Sequence, residues 1–204
     1  MNRHVFVPRL ALALAAATLL SACAPLVVGG AMVGTTLVMS DRRTSGAQLE
    51  DQNIETKASN RIREAVGERG HAIATSYNRL LLLTGEATTD ADKAAIEQNV
   101  GRVENVRSIV NELAVMPATS MSSRSNDTYL TSKVKASFVD AKDMQVNAIK
   151  VVTERGTVYL MGRVTEREAG RAADIARGVS GVQKVVRVFE VISEAELADL
   201  AAKK

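Results

Sequence analysis

Residues 151–168 read VVTERGTVYLMGRVTERE, and that stretch decides the fold. Two runs rich in β-branched and aromatic residues flank Glu154, Arg155 and Gly156, where glycine supplies the backbone conformation that a tight hairpin turn needs. The spacing predicts strands at residues 149–153 and 157–162. Thr165 and Glu168 then form the Ser/Thr-x-x-Glu pattern in which two side chains satisfy the free N–H groups of a helix start. Upstream, Leu130, Val134 and Phe138 recur at helical spacing behind Asp127, whose carboxylate is expected to cap that helix. Downstream, VSGVQKVV (residues 179–186) introduces a closing strand. The unit is α-β-β-α-β.

The same pattern stands about 76 residues earlier. Asp51 precedes Ile54, Ala58 and Ile62, and residues 73–77 lead through Asn78 and Arg79 into LLLLTG (residues 80–85). A helical stretch follows at residues 88–100, and VENVRSIV (residues 103–110) repeats the closing cadence. The expected organisation is a first module at residues 49–115, a Pro/Ser-rich linker at 116–125, a second module at 126–192, and a tail at 193–204. Ser193 and Glu196 in that tail read as the start of a short helix. The fold class is α+β, with two tandem modules, each a three-stranded mixed sheet covered on one face by two helices. Gly85 and Gly162 end matching strands and read as backbone requirements.

The N-terminus carries a different message. Arg3, His4 and Arg9 precede an unbroken run of small apolar residues, which marks residues 1–22 as a signal peptide and not a structural helix. Leu20-Ser21-Ala22-Cys23 resembles a lipobox, so Cys23 is expected to be acylated and to become the mature N-terminus. Ala24 follows the cysteine where an Asp would favour inner-membrane retention. The expected location is therefore the outer membrane, anchored by acyl chains and facing the periplasm. Residues 23–48 read as a lipidated tether, and the apolar stretch at 25–39 is short for a span of roughly 20 apolar residues. A shallow interfacial helix is the alternative for that stretch.

Composition excludes several functions. Without residues 1–22 the chain holds 24 Lys+Arg against 23 Asp+Glu, and aromatic residues are 3%. Nucleic-acid binding asks for a clustered basic surface and stacking platforms, which this pattern lacks. Cys23 is the single cysteine and His71 the one histidine beyond the signal peptide, so no metal site, cofactor or Cys/His couple is expected. His71 reads as a surface residue at a strand start. Glu166 and Glu168 lie near a helix start without a partner base and read as caps. No catalytic residue is assigned, and the chain is not expected to be an enzyme.

Residues 151–168, with AADIA (172–176) and VSGV (179–182), resemble a BON domain, and the first repeat fits the same pattern more weakly. With the lipobox and tether, the whole chain is similar to the dual-BON outer-membrane lipoproteins. The resemblance implies a non-catalytic envelope protein that supports outer-membrane integrity, gathers at division sites, and binds anionic, phosphatidylglycerol-like phospholipid through the first helix of its second module.

The helix can also be read from its own residues. Beside the core stripe, Tyr129 and Lys133 share a face with Ser132 and Ala136. The expected phospholipid contacts are Asn126, Asp127, Thr128, Tyr129, Ser132, Lys133, Lys135 and Ala136. Free N–H groups near Asn126, Asp127 and Thr128 are expected to meet a phosphate, with Tyr129 at headgroup depth. The competing reading is a Tyr half-buried against the linker, with Asp127 as a structural cap. Asn53 occupies the Tyr129 position in the first module. Arg42 and Arg43 either touch membrane phosphates or lie in solvated linker. A second functional reading is a protein adaptor whose first module offers its exposed sheet face or edge to an envelope partner such as the β-barrel assembly machinery.

Overall fold

Turn chemistry and apolar spacing lay down the same elements twice, and the two sheets then close on each other. The computed structural model describes residues 41–67 and 69–202, of which residues 41–202 belong to one compact unit. The signal peptide, Cys23 and the tether to residue 40 lie outside the described residues.

The first module runs α1 (Ser45–Val66), β1 (His71–Tyr77), β2 (Leu80–Ala87), α2 (Asp90–Val100), β3 (Ser108–Asn111) and a two-residue β4 (Ala114–Val115). The second runs α3 (Met121–Asp140), β5 (Ile149–Glu154), β6 (Thr157–Val164), α4 (Glu166–Gly178) and β7 (Lys184–Val191), and α5 (Glu194–Ala202) ends the described chain. In each sheet the hairpin is antiparallel and the last strand returns parallel to the central one, in the orders β1-β2-β3 and β5-β6-β7, with β4 extending the pairing of β2. This is the tandem α+β fold that the repeat predicted.

Both hairpins turn on two residues at positive φ, Asn78 and Arg79 in one and Arg155 and Gly156 in the other. Such turns match the twist of the flanking strands. Gly85 and Gly162 are required for a close backbone approach, since a Cβ there would meet the carbonyl oxygens of His71 and Ala148 at 1.9 and 2.4 Å.

Ile54, Ala58 and Ile62 of α1 and Ile96 and Val100 of α2 pack on Leu81 and Leu83 to form the first core. Leu130, Val134 and Phe138 of α3 pack with Ala172 and Ala176 of α4 on Val158 and Leu160 to form the second. A third cluster joins the opposite sheet faces, with Tyr77 and Leu82 against Tyr159, Met161 and Val188. The sheets are thus covered on both faces, by helices outside and by each other inside. The helices cover one face of each sheet as expected, and the other face is occupied by the partner sheet.

Both opening helices also begin earlier than expected. Thr44 caps α1 by accepting from the Ala47 N–H at 3.1 Å, and Ser120 caps α3 by accepting from the Ser123 N–H at 3.2 Å. Residues 121–125 are therefore helix, and the irregular connector shrinks to 116–120. The polar run MSSRS carries no apolar periodicity, so only its hydroxyls announced a helix start.

Candidate functional site

Asp51 and Asp127 lie inside their helices, and each turns its carboxylate onto the hairpin of its own module. Asp127 is buried and accepts from the Arg155 and Gly156 N–H groups at 2.8 and 2.9 Å. Asp51 accepts from Asn78 N–H, Arg79 N–H and Ser76 Oγ at 2.7, 2.8 and 2.6 Å, and from Arg43 at 2.8 Å. Burial alone pushes the Asp51 carboxyl up, but these donors together hold it below the usual carboxylate range. Hence Asp127 is not a helix cap; its buried carboxylate is the clamp of the turn.

Because α3 starts at Met121, the N–H groups of Asn126, Asp127 and Thr128 lie within the helical ladder and are not free for phosphate. The solvent face is a separate matter. Tyr129 is 65% exposed and does not pack on the connector, and the Lys133 ammonium lies 5.7 Å from its ring centroid. Lys133 donates to the Ser180 carbonyl at 2.6 Å, a bond to a neutral group that leaves its charge uncancelled. Asn126, Thr128, Ser132, Lys135 and Ala136 are also exposed, whereas Lys135 faces a hollow shared with Arg43 and Lys150. The structure thus brings Asn126, Tyr129, Ser132, Lys133 and Ala136 onto one face and sets Asp127 and Lys135 apart from it. It adds exposed Met121 and Val139, which the sequence reading missed because they lack charge or a motif.

Arg42 and Arg43 are not solvated. Arg42, 7% exposed, donates to both carboxylate oxygens of Glu168 at 2.7 Å and to the Arg163 carbonyl at 2.7 Å. Its guanidinium holds the Glu168 carboxyl below the usual range against the effect of burial, with help from the Thr165 N–H. Glu168 completes the expected capping box with Thr165. Arg43 lies 4.1 Å from the Tyr77 ring centroid and pairs with Asp51. Consecutive residues of the arm therefore grip different modules.

The seam holds further charged groups with no sequence signature. Arg155 reaches across to the Gly85 carbonyl and the Glu86 carboxylate, both at 2.8 Å, and Glu86 is fully buried. Lys150 bridges to Glu55 at 2.7 Å and to the Ser76 carbonyl at 3.2 Å. Glu154 is 4% exposed and its carboxyl is pushed up to about 7, first by burial and then by the nearby Glu86 charge. His71 is held below the usual imidazole range by burial and by Arg124. Among the described residues no cluster of three or more His, Cys, Asp or Glu could hold a metal ion, and no helix is long and apolar enough to cross a membrane.

The BON-domain profile matches residues 50–117 and 126–193. Over 187 residues the chain is 37% identical to the outer membrane lipoprotein DolP of Haemophilus influenzae, covering 90% of this chain and 96% of that protein. It is 29% identical over 154 residues to a 21 kDa hemolysin of Actinobacillus pleuropneumoniae, covering 74% and 79%. Among solved structures, CdsD of the Chlamydia trachomatis type III secretion system matches 72% of this chain and 98% of that one, at a TM-score of 0.30 and 11% identity.

Proposed function

We propose, on the premise that this chain belongs to the BON-domain family and is a dual-BON outer-membrane lipoprotein related to DolP, that it binds anionic phospholipid along the exposed face of α3 and so supports outer-membrane integrity. No catalytic step is part of this reading. The carrying observation is the pairing of a largely exposed Tyr129 with Lys133, whose ammonium, among the described residues, bonds to a neutral carbonyl and to no acid.

A tyrosine suits the headgroup layer because its ring is apolar and its hydroxyl stays wet. Asn126, Ser132 and Ala136 are small, so the surrounding helix surface can approach a bilayer closely. Lys133 adds about 1 kcal/mol of attraction at an anionic surface, and Lys135 adds a similar amount from the neighbouring flank. Acylation at Cys23, which belongs to this proposal, would hold α3 at high local lipid concentration, so weak headgroup binding suffices. The same anchor would place the modules on the periplasmic side, and recruitment to division sites would follow local enrichment of anionic lipid.

The test is co-sedimentation of unacylated protein, starting near Met39, with phosphatidylglycerol or phosphatidylcholine vesicles at low salt. Anionic vesicles should retain the wild type, and Tyr129→Ala and Lys133→Ala should each release it while circular dichroism stays unchanged. A wild type that remains in the supernatant with both vesicles refutes the reading.

A further inference from the structure

We propose that the groove between the open edge of β1 and the flank of α3 docks an extended peptide carrying a basic side chain, with Glu154 on its floor selecting the base. The site is separate from the Tyr129 face and does not depend on lipid binding.

The edge is available over a defined length. Among the described residues β1 pairs with β2 alone. The Ser76 N–H donates to Glu55 at 2.8 Å and its carbonyl accepts from Lys150 at 3.2 Å, so both amide groups of Ser76 point away from β2. Backbone direction alternates along an antiparallel strand, and Ala74 and Ala72 therefore point the same way. No further hydrogen bond satisfies them among the described residues. Glu55 and Lys150 close the edge at Ser76 and leave two unpaired rungs, of which Ala72 is partly exposed and Ala74 is largely covered, for a short added strand to meet.

Beside those rungs lies a hollow of about 450 Å³. Its far wall is the side of α3 that carries Arg124, Thr128 and Thr131, and its floor includes Val152 and Glu154. Ile73 stands on its lip, 41% exposed on an otherwise well-covered strand. Two polar groups in this hollow have no hydrogen-bond partner among the described residues, the buried Arg124 Nε and the carboxyl of the largely buried Glu154. Buried polar groups are nearly always paired, and leaving one unpaired costs about 1–3 kcal/mol. An acceptor and a donor left open in the same groove mark a place for a ligand.

The occupant follows from what each open group needs. The rungs at Ala72 and Ala74 need alternating backbone donors and acceptors, which a peptide strand has and a lipid headgroup lacks. Arg124 Nε needs an acceptor such as a peptide carbonyl. Glu154 needs a donor, and its surroundings favour a positive one: Glu86 and Asp127 add negative charge, while Arg155 is already bonded to Glu86. Arg124 opposes this from the wall, and His71 at the groove's end is disfavoured from charging. A Lys or Arg side chain on the peptide thus meets the acid while an apolar neighbour covers Ile73 and Val152. Because the free carboxyl titrates near neutrality, a bound ammonium releases its proton.

The experiment is ¹⁵N NMR titration of the full chain in neutral detergent micelles with acetyl-Val-Lys-Val-Lys-Val-amide, its glutamate counterpart, and phosphoethanolamine. The lysine peptide should shift the amides of Ala72, Ile73, Ala74 and Glu154 without moving Tyr129, and bind at least tenfold tighter than the glutamate peptide. Its affinity should rise severalfold from pH 6 to pH 8. Glu154→Gln should erase both the lysine preference and the pH dependence, and Ile73→Lys, an exposed change, should weaken the lysine peptide severalfold. Equal affinity for both peptides, no shift at millimolar peptide, or shifts produced by phosphoethanolamine alone would overturn the proposal, the last making the groove a headgroup site.

Discussion

Lys57 and Lys133 occupy the same position in the two modules, and their partners differ by one side chain. Lys57 pairs with the Glu104 carboxylate at 2.8 Å, whereas Lys133 meets the Ser180 carbonyl, with Ser180 standing where Glu104 stands in the first copy. One turn earlier, Asn53 answers to Tyr129. The first module thus cancels its lysine and carries no ring, and the second keeps both charge and ring exposed. By contrast, Asp51 and Asp127 clamp equivalent turns, and the apolar stripes of α1 and α3 are interchangeable in kind. The two copies keep the same clamp and the same kind of core, and they differ in chemistry at residues that face solvent or the seam.

The largest effect should come from the shared clamp, and unequally. Asp51→Ala removes four donors' acceptor and leaves Arg43 part-buried over Tyr77, for an expected loss of about 4 kcal/mol. Asp127→Ala orphans only two N–H groups and should cost about 2 kcal/mol. Urea unfolding of both variants checks the ranking. If Asp127→Ala is the more damaging, Arg43 contributes nothing to the clamp.

Next is the arm. Arg42→Ala strands the Glu168 carboxylate and should cost about 3 kcal/mol, and the Arg42→Ala/Glu168→Gln double variant should recover part of that loss, since the two act as one unit. Glu168 is held below its ordinary value, so its contribution is present above that value and fades as pH falls through the depressed one. Both variants should therefore converge on wild type in acid. Additive losses in the double variant, or a constant difference down to pH 3, would remove the pair from the seam.

Glu154 has the opposite sign. Its carboxyl is raised to about 7, so the folded state favours the protonated form, and the stability this brings is present below the ordinary glutamate range and lost as pH rises through 7. Wild type should weaken by about 2 kcal/mol between pH 5 and pH 8.5 relative to Glu154→Gln, read from urea midpoints at each pH. A parallel pair of curves would mean that water or a counter-ion satisfies the carboxyl.

Much of this was legible in the sequence, and the misses have physical causes. The repeat, the hairpins at Asn78-Arg79 and Arg155-Gly156, the cores and the Thr165/Glu168 box follow from short-range rules. The helix starts were misplaced because Asp51 and Asp127 look like caps; a carboxylate beside an apolar stripe can satisfy any cluster of N–H groups, and here a distant turn lay nearer. The sheet-to-sheet seam had a signal that went unread. Leu80 to Leu83 and Val158 to Met161 are unbroken apolar runs, which a strand carries when both its faces are covered. Arg42 meets Glu168, and Arg155 meets Glu86, only through the tertiary fold, so no local pattern could join either pair.

The smallest stability change carries the sharpest functional comparison. Asn53 is exposed, so Asn53→Tyr should shift stability by no more than about 0.5 kcal/mol. Placed in a Tyr129→Ala background, it restores a ring one turn from a lysine, but Lys57 remains cancelled by Glu104. Retention on phosphatidylglycerol vesicles should therefore stay low. Adding Glu104→Gln breaks a solvent-screened exposed pair and frees the charge. Retention should then recover measurably, because ring and uncancelled cation are both present on the first module's helix. Recovery with Asn53→Tyr alone would make the ring sufficient. No recovery even with Glu104→Gln would tie lipid binding to features of α3 beyond that pair, such as exposed Met121.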